Sequence, residues 1–214
     1  MFKRLSQSLI EKSVSRAYSK RIETKGDCPE GVFWASELTQ IARFDYALMQ
    51  LRQHLGQGAF SIADIGCGYG ALYDFIRTTP RYSNIRYSGM DINKQMISHC
   101  QNRFPPFRHL FSSARHPQTP VHAAIYIGTF NLCHTDDYSL WEDYILDQIS
   151  LSWSYVTEAI MLNMTSLNAP QIRNHIFYAE PGRMKDRLEA RFGPTTASPT
   201  RFLTDDTTFI IMKR

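Results

Sequence analysis

At 214 residues with 43% hydrophobic content, the chain is long enough to fill one core and short for two. Its 24 basic and 20 acidic residues leave a formal charge of +4, too mild an excess to specify nucleic acid as a partner. Cys28, Cys67, Cys100 and Cys133 stand singly, without the spacing of a zinc site or a disulfide framework, so the expectation is no bound metal and a reducing, cytoplasmic setting.

From the N-terminus, Phe2, Leu5, Leu9, Ile10, Val14 and Tyr18 recur at helical intervals between Lys3, Arg4, Lys12, Arg16 and Lys20, an amphipathic helix over roughly Phe2 to Lys20. Three roles stay open for it: packing on the domain, a lid over an active site, or a membrane-surface helix. It is not a secretory signal, because residues 1–25 are basic and lack an apolar core segment. A polar break at Lys25 to Glu30 precedes a second helix over Trp34 to Leu55, ended by Gly56-Gln57-Gly58. Residues 1–56 therefore read as a helical cap belonging to the same domain as residues 57–214.

The remainder alternates strand and helix. Strands are expected at Ala59 to Ile65, Ile85 to Ile92, Phe107 to Phe111, His122 to Gly128 and Val156 to Met164. Helices are expected at Ala71 to Ile76, Gln95 to Arg103, Asp137 to Ser152 and Pro181 to Phe192. Arg201-Phe202-Leu203 and Thr207 to Met212, separated by Asp205-Asp206, read as a closing hairpin. The fold class is α/β: a doubly wound, seven-stranded, mostly parallel sheet with an antiparallel C-terminal hairpin. The longest apolar run, around Ala123 to Cys133, is about half of what a bilayer requires.

The stretch Asp64-Ile65-Gly66-Cys67-Gly68-Tyr69-Gly70 joins a strand to a helix through a turn almost bare of side chains, where a ligand can approach backbone and the helix N-terminus. Gly66, Gly68 and Ala71 also satisfy the dinucleotide fingerprint. Asp64 argues against that, because a carboxylate there crowds a pyrophosphate but suits an ammonium group. Asp91, closing the next strand, stands where an acid hydrogen-bonds ribose hydroxyls. Ribose plus amine, with no demand for phosphate, describes S-adenosylmethionine.

On these residues the chain resembles the class I S-adenosylmethionine-dependent methyltransferases, whose fold is Rossmann-like. Asp64 through Gly70 matches the glycine-rich first motif, and Met90-Asp91-Ile92-Asn93 the acidic second. Gly31 to Trp34, Gln40 to Phe44, Gly128 to Leu132 and Tyr178 to Pro181 resemble a little-characterised bacterial subgroup. The resemblance implies S-adenosylmethionine as cofactor and S-adenosylhomocysteine as product. The implied cofactor contacts are Arg43, Asp64, Gly66, Cys67, Gly68, Gly70, Asp91, Ile92, Ser113 and Thr129. Arg43 would pair with the methionine carboxylate, a task suited to a guanidinium fork. Ser112-Ser113-Ala114 departs from the family's frequent acid against the adenine amine. No catalytic base stands out: the candidates are His134, His175, Tyr178 and Glu180, with Asn131 expected either to orient an acceptor or to cap the next element.

Thr129-Phe130-Asn131-Leu132 lacks the Asn- or Asp-Pro-Pro-aromatic segment of enzymes that methylate bases in DNA. Asn131 and Asn163 replace the acids that metal-assisted catechol methylation needs, and no RNA-binding module is visible. A small-molecule acceptor remains. Two other readings stay open: a non-catalytic sensor of the cofactor or its product, and a nicotinamide-dependent dehydrogenase, which Asp64 disfavours.

Overall fold

The computed structural model describes residues 2–213, with side chains from residue 7 onward; Phe2, Lys3, Arg4 and Leu5, counted above toward the amphipathic stripe, lie outside the described side chains. The helices are α1 (Phe2–Lys25), α2 (Glu37–Leu55), α3 (Ala71–Thr78), α4 (Lys94–Arg103), α5 (Tyr138–Trp153) and α6 (Pro181–Phe192). The strands are β1 (Ser61–Ile65), β2 (Arg86–Met90), β3 (Phe111–Ser112), β4 (Val121–Ile127), β5 (Val156–Thr165), β6 (Gln171–Arg173), β7 (Ile176–Tyr178), β8 (Thr195–Pro199) and β9 (Asp206–Met212). Seven of these strands make one sheet in the order β3-β2-β1-β4-β5-β9-β8, and β6 and β7 pair separately. β1 to β5 run parallel, β9 returns antiparallel on β5, and β8 closes the edge.

The central strands are apolar at successive positions because both faces are covered. Along β4, Ala124 and Tyr126 face one core with α5 and α6, while Ala123, Ile125 and Ile127 face another with α2, α3 and α4. Asp64, alternating with Ala63 and Ile65, is 4% exposed. Helix starts follow local chemistry: Ser36 accepts from Thr39 N–H at 3.3 Å, Asn93 from Gln95 N–H at 2.9 Å and Asp137 from Leu140 N–H at 2.9 Å. The Ser36 cap explains why α2 begins at Glu37 rather than at Trp34.

Between β3 and β4, residues 113–120 cross without a helix, and α1 covers that face of the sheet. Ile10 joins Met90, Tyr144, Ile145 and Ile149 in the core with Val14 packed against it, a burial of roughly 1.5–3 kcal/mol for an isoleucine. Leu9 stays 67% exposed, so the expected stripe is only partly used. Polar contacts hold the rest of α1: Gln7 donates to Asp147 at 2.7 Å, and Asn93 Nδ2 donates to Ser15 O at 3.1 Å and Ser19 Oγ at 2.9 Å.

Three sequence expectations need correcting. Phe107 lies in a short 3-10 helix, Pro105–Leu110, and the strand is confined to Phe111–Ser112; the two prolines favour a helical start over a ladder. The closing hairpin exists, but its first strand is Thr195–Pro199, while Phe202 sits in the turn at φ 68° and is 85% exposed. Pro199 is tolerated because β8 is an edge strand. The β6–β7 hairpin was missed, since two three-residue strands carry almost no periodic signal.

Candidate functional site

The C-terminal ends of β1, β2 and β4 open into a crevice of about 1080 Å³, mouth included. Its floor is the glycine turn. Gly66 N–H and Cys67 N–H both donate to Met90 O, at 2.7 and 3.0 Å, which ties the turn to the end of β2. Gly66 has φ 81°, and a Cβ there would meet Thr129 Cγ2 at 2.6 Å; Thr129 in turn donates from Oγ1 to Ile65 O at 2.8 Å. At Gly68, φ is 55° and a Cβ would meet only Val32 at 3.6 Å, so a side chain there would project into the crevice in a strained backbone.

Two acids face this cradle. Asp64 accepts from Tyr87 Oη at 2.8 Å; burial pushes its carboxyl up to about 7, with the Tyr87 hydrogen bond opposing and the Asp91 charge adding. Asp91 accepts from Gly68 N–H at 3.1 Å and from Asn93 N–H at 2.8 Å, one on each oxygen. Burial pushes it up to about 6 despite those two bonds. Each carboxylate oxygen keeps a second lone pair, so Asp91 can still accept from a pair of hydroxyls. Together these acceptors suit a ligand bearing a positive charge and a diol.

Of the expected contacts, Asp64, Gly66, Cys67, Gly68, Asp91, Ile92 and Thr129 line the crevice. Gly70 caps α3 at φ 81° instead, its absent Cβ lying 2.9 Å from Phe104. Ser113 is exposed, and Ala114 and Arg115 take its place on the wall. Arg43 is not on the lining. Its Nε donates to Asp206 Oδ2 at 2.6 Å, and its guanidinium lies 4.5 Å from the Trp34 ring centroid. It is Trp34 that reaches the crevice, against Gly128. The expectation that Arg43 meets a ligand carboxylate is therefore corrected: the arginine is committed to a buried acid, with Trp34 between it and the site.

The candidate bases and Asn131 are also placed elsewhere. Asn131 Oδ1 accepts from Thr165 N–H at 3.1 Å, and Glu180 caps α6 by accepting from Gly182 and Arg183 N–H at 3.0 and 2.6 Å. Tyr178 pairs with Gln171 across the β6–β7 hairpin. His134 bonds Ser13 Oγ at 2.7 Å, its ring 5.3 Å from that of His175; burial and then His175 lower its pKa. None of the five lines the crevice. What the sequence reading missed is the wall supplied by Ser15 and Tyr18 of α1 and by Trp141, Tyr144 and Gln148 of α5. The i, i+3, i+7 spacing of the α5 trio was visible as a helix face, but nothing local marked that face as a ligand wall.

No family model matches the chain. It is 26% identical over 141 residues to a Mycobacterium tuberculosis protein named "Putative methyltransferase Rv1506c", covering 64% of this chain and 84% of that one. Among solved structures, magnesium protoporphyrin IX methyltransferase of Synechocystis PCC 6803 with bound S-adenosylmethionine superposes with a TM-score of 0.56 at 14% identity, over 83% of this chain and 81% of that chain. A SAM-dependent methyltransferase of Leishmania major gives 0.61 at 11% identity, over 92% and 82%. The fold is that of the class I methyltransferases. Within it, Asp64 and the glycine turn end the first strand, Asp91 ends the second, and Thr129 follows the fourth. No described helix is long and apolar enough to cross a membrane, and no described group of His, Cys, Asp and Glu could hold a metal ion.

Proposed function

We propose that the chain is an S-adenosylmethionine-dependent methyltransferase acting on a small organic acceptor in the cytoplasm, with S-adenosylhomocysteine as product. The observation that carries the reading is the pair of acids around the glycine turn. Asp91 suits the ribose hydroxyls, Asp64 the amino group, and the bare backbone at Gly66 and Gly68 leaves room for the sulfonium arm. The cofactor supplies an activated methyl group for in-line displacement. The protein's part is to hold the donor with Asp64, Asp91 and Thr129, and to exclude water with Trp34, Phe130 and Tyr18.

Residues 1–56 belong in this reading to the same domain as residues 57–214, α1 and α2 forming a cap through which Ser15, Tyr18 and Gln40 reach the site. Among the described residues, the crevice wall carries no His, Lys or Glu, which suits an acceptor that is already nucleophilic. The same observation favours a second reading, a non-catalytic protein that senses the cofactor or its product.

Thermal-shift titration with S-adenosylmethionine, S-adenosylhomocysteine and NAD, followed by incubation with S-adenosylmethionine and a metabolite extract, separates the possibilities. Stabilisation by both sulfur ligands with release of S-adenosylhomocysteine supports the enzyme. Stabilisation without transfer supports the sensor, and stabilisation by NAD alone overturns both.

A further inference from the structure

The crevice also has polar lining that the glycine turn and the two acids do not explain. Arg115 and Gln148 supply it. Arg115 Nη2 donates to Glu11 Oε2 at 2.5 Å, and Gln148 Nε2 donates to Glu11 Oε1 at 3.4 Å. Glu11 comes from α1, Arg115 from the crossing between β3 and β4, and Gln148 from α5, so three separate elements converge here. Glu11 is 5% exposed and Gln148 8%. Burial pushes the Glu11 carboxyl up, and Arg115 holds it back.

A carboxylate held by a guanidinium accepts hydrogen bonds and does not donate them. It therefore fixes which end of the neighbouring amide faces it: the Gln148 NH₂ turns to Glu11, and the carbonyl oxygen is left as an acceptor for the crevice. Ile92, 37% exposed, and Tyr144 also line the crevice and offer apolar surface of the kind a purine stacks on.

We propose that Gln148, oriented by Glu11 and Arg115, recognises the exocyclic amine of the cofactor's adenine. The proposal rests on the S-adenosylmethionine reading above. It places adenine selectivity on α5 and the N-terminal helix, where the exposed Ser113 at the end of β3 contributes nothing. Glu11 and Arg115 are positioning residues in this arrangement; only Gln148 touches the ligand.

Calorimetric titration with S-adenosylhomocysteine and S-inosylhomocysteine, whose ring carries an oxo group in place of the amine, tests it in wild type, Gln148→Met and Glu11→Gln. Wild type is expected to prefer the amine-bearing ligand by about tenfold, the scale of one hydrogen bond in a partly buried site. Gln148→Met should bring the ratio close to one by weakening S-adenosylhomocysteine alone, and Glu11→Gln, which frees the amide to turn, should give an intermediate ratio.

A preference that survives Gln148→Met overturns the proposal. So does wild type that binds both ligands equally, although the cofactor reading then stands. Binding of neither ligand by folded wild type removes the cofactor reading and this proposal with it. Where thermal melts show that Gln148→Met does not fold, Glu11→Gln decides, and an unchanged ratio there overturns the assignment.

Discussion

Arg43→Ala tests whether this arginine serves the fold or the ligand. In the structure its Nε lies 2.6 Å from Asp206 Oδ2, with side chains 14% and 1% exposed. Removing one partner of so buried a pair leaves an uncompensated charge, at a cost of about 3–5 kcal/mol. For a domain of this size, each kcal/mol moves Tm by about 2–4 °C, so the melt should fall by roughly 6–20 °C. The defect should depend on pH. Burial already raises the Asp206 pKa and Arg43 pulls it down, so without Arg43 the folded-state value climbs further above the unfolded one. The deficit is therefore smaller at pH 5 than at pH 8. Asp206→Asn in the same chain should recover most of the loss. Urea melts at the two pH values measure all of this. A variant that keeps wild-type stability, yet loses affinity for S-adenosylhomocysteine and not for 5′-methylthioadenosine, would refute the reasoning and return Arg43 to a ligand carboxylate.

Asp91→Ala should weaken S-adenosylhomocysteine by about 1.5–3 kcal/mol, the range for hydrogen bonds to a charged group; unchanged affinity in a calorimeter would remove Asp91 from the ribose. Gly68→Val should abolish ligand binding, since φ is 55° and the new side chain enters the crevice; normal binding would mean the turn is not the cradle. Affinity for the cationic ligand should rise as pH climbs through the range in which Asp64 and Asp91, with pKa values of about 7 and 6, shed the protons that keep them from facing it as carboxylates. Without ligand the sign reverses. These raised carboxyls cost stability as pH climbs from the unfolded value near 4 through the folded values, so the thermal shift given by ligand should be larger at pH 8 than at pH 5.

The glycine turn and Asp91 were legible because their meaning is local: a strand end, a bare turn and a helix start lie within a few residues. Arg43 was misread for the opposite reason. Its partner Asp206 lies 163 residues away, and no local pattern distinguishes an arginine that will meet a buried acid from one that will meet a ligand. Glu180 and Asn131 sat in loops expected near the crevice, but Glu180 precedes Pro181 and so stands where a helix cap belongs, a signal that outweighed proximity. The Glu11–Gln148 contact, spanning 137 residues, could not be read until the crossing between β3 and β4 was seen to carry no helix.

That helix-free crossing has a consequence for the order in which the protein is assembled. The helix covering the bare face is synthesised well before its partners on α5; Gln7 and Asp147 are 140 residues apart. At about 5–20 residues per second, the ribosome takes roughly 7–28 s to supply them. During that interval the face of α1 that carries Ile10 and Val14 has no α5 surface to dock on and stays exposed. Closure of the ligand crevice is therefore a late event in the birth of the chain.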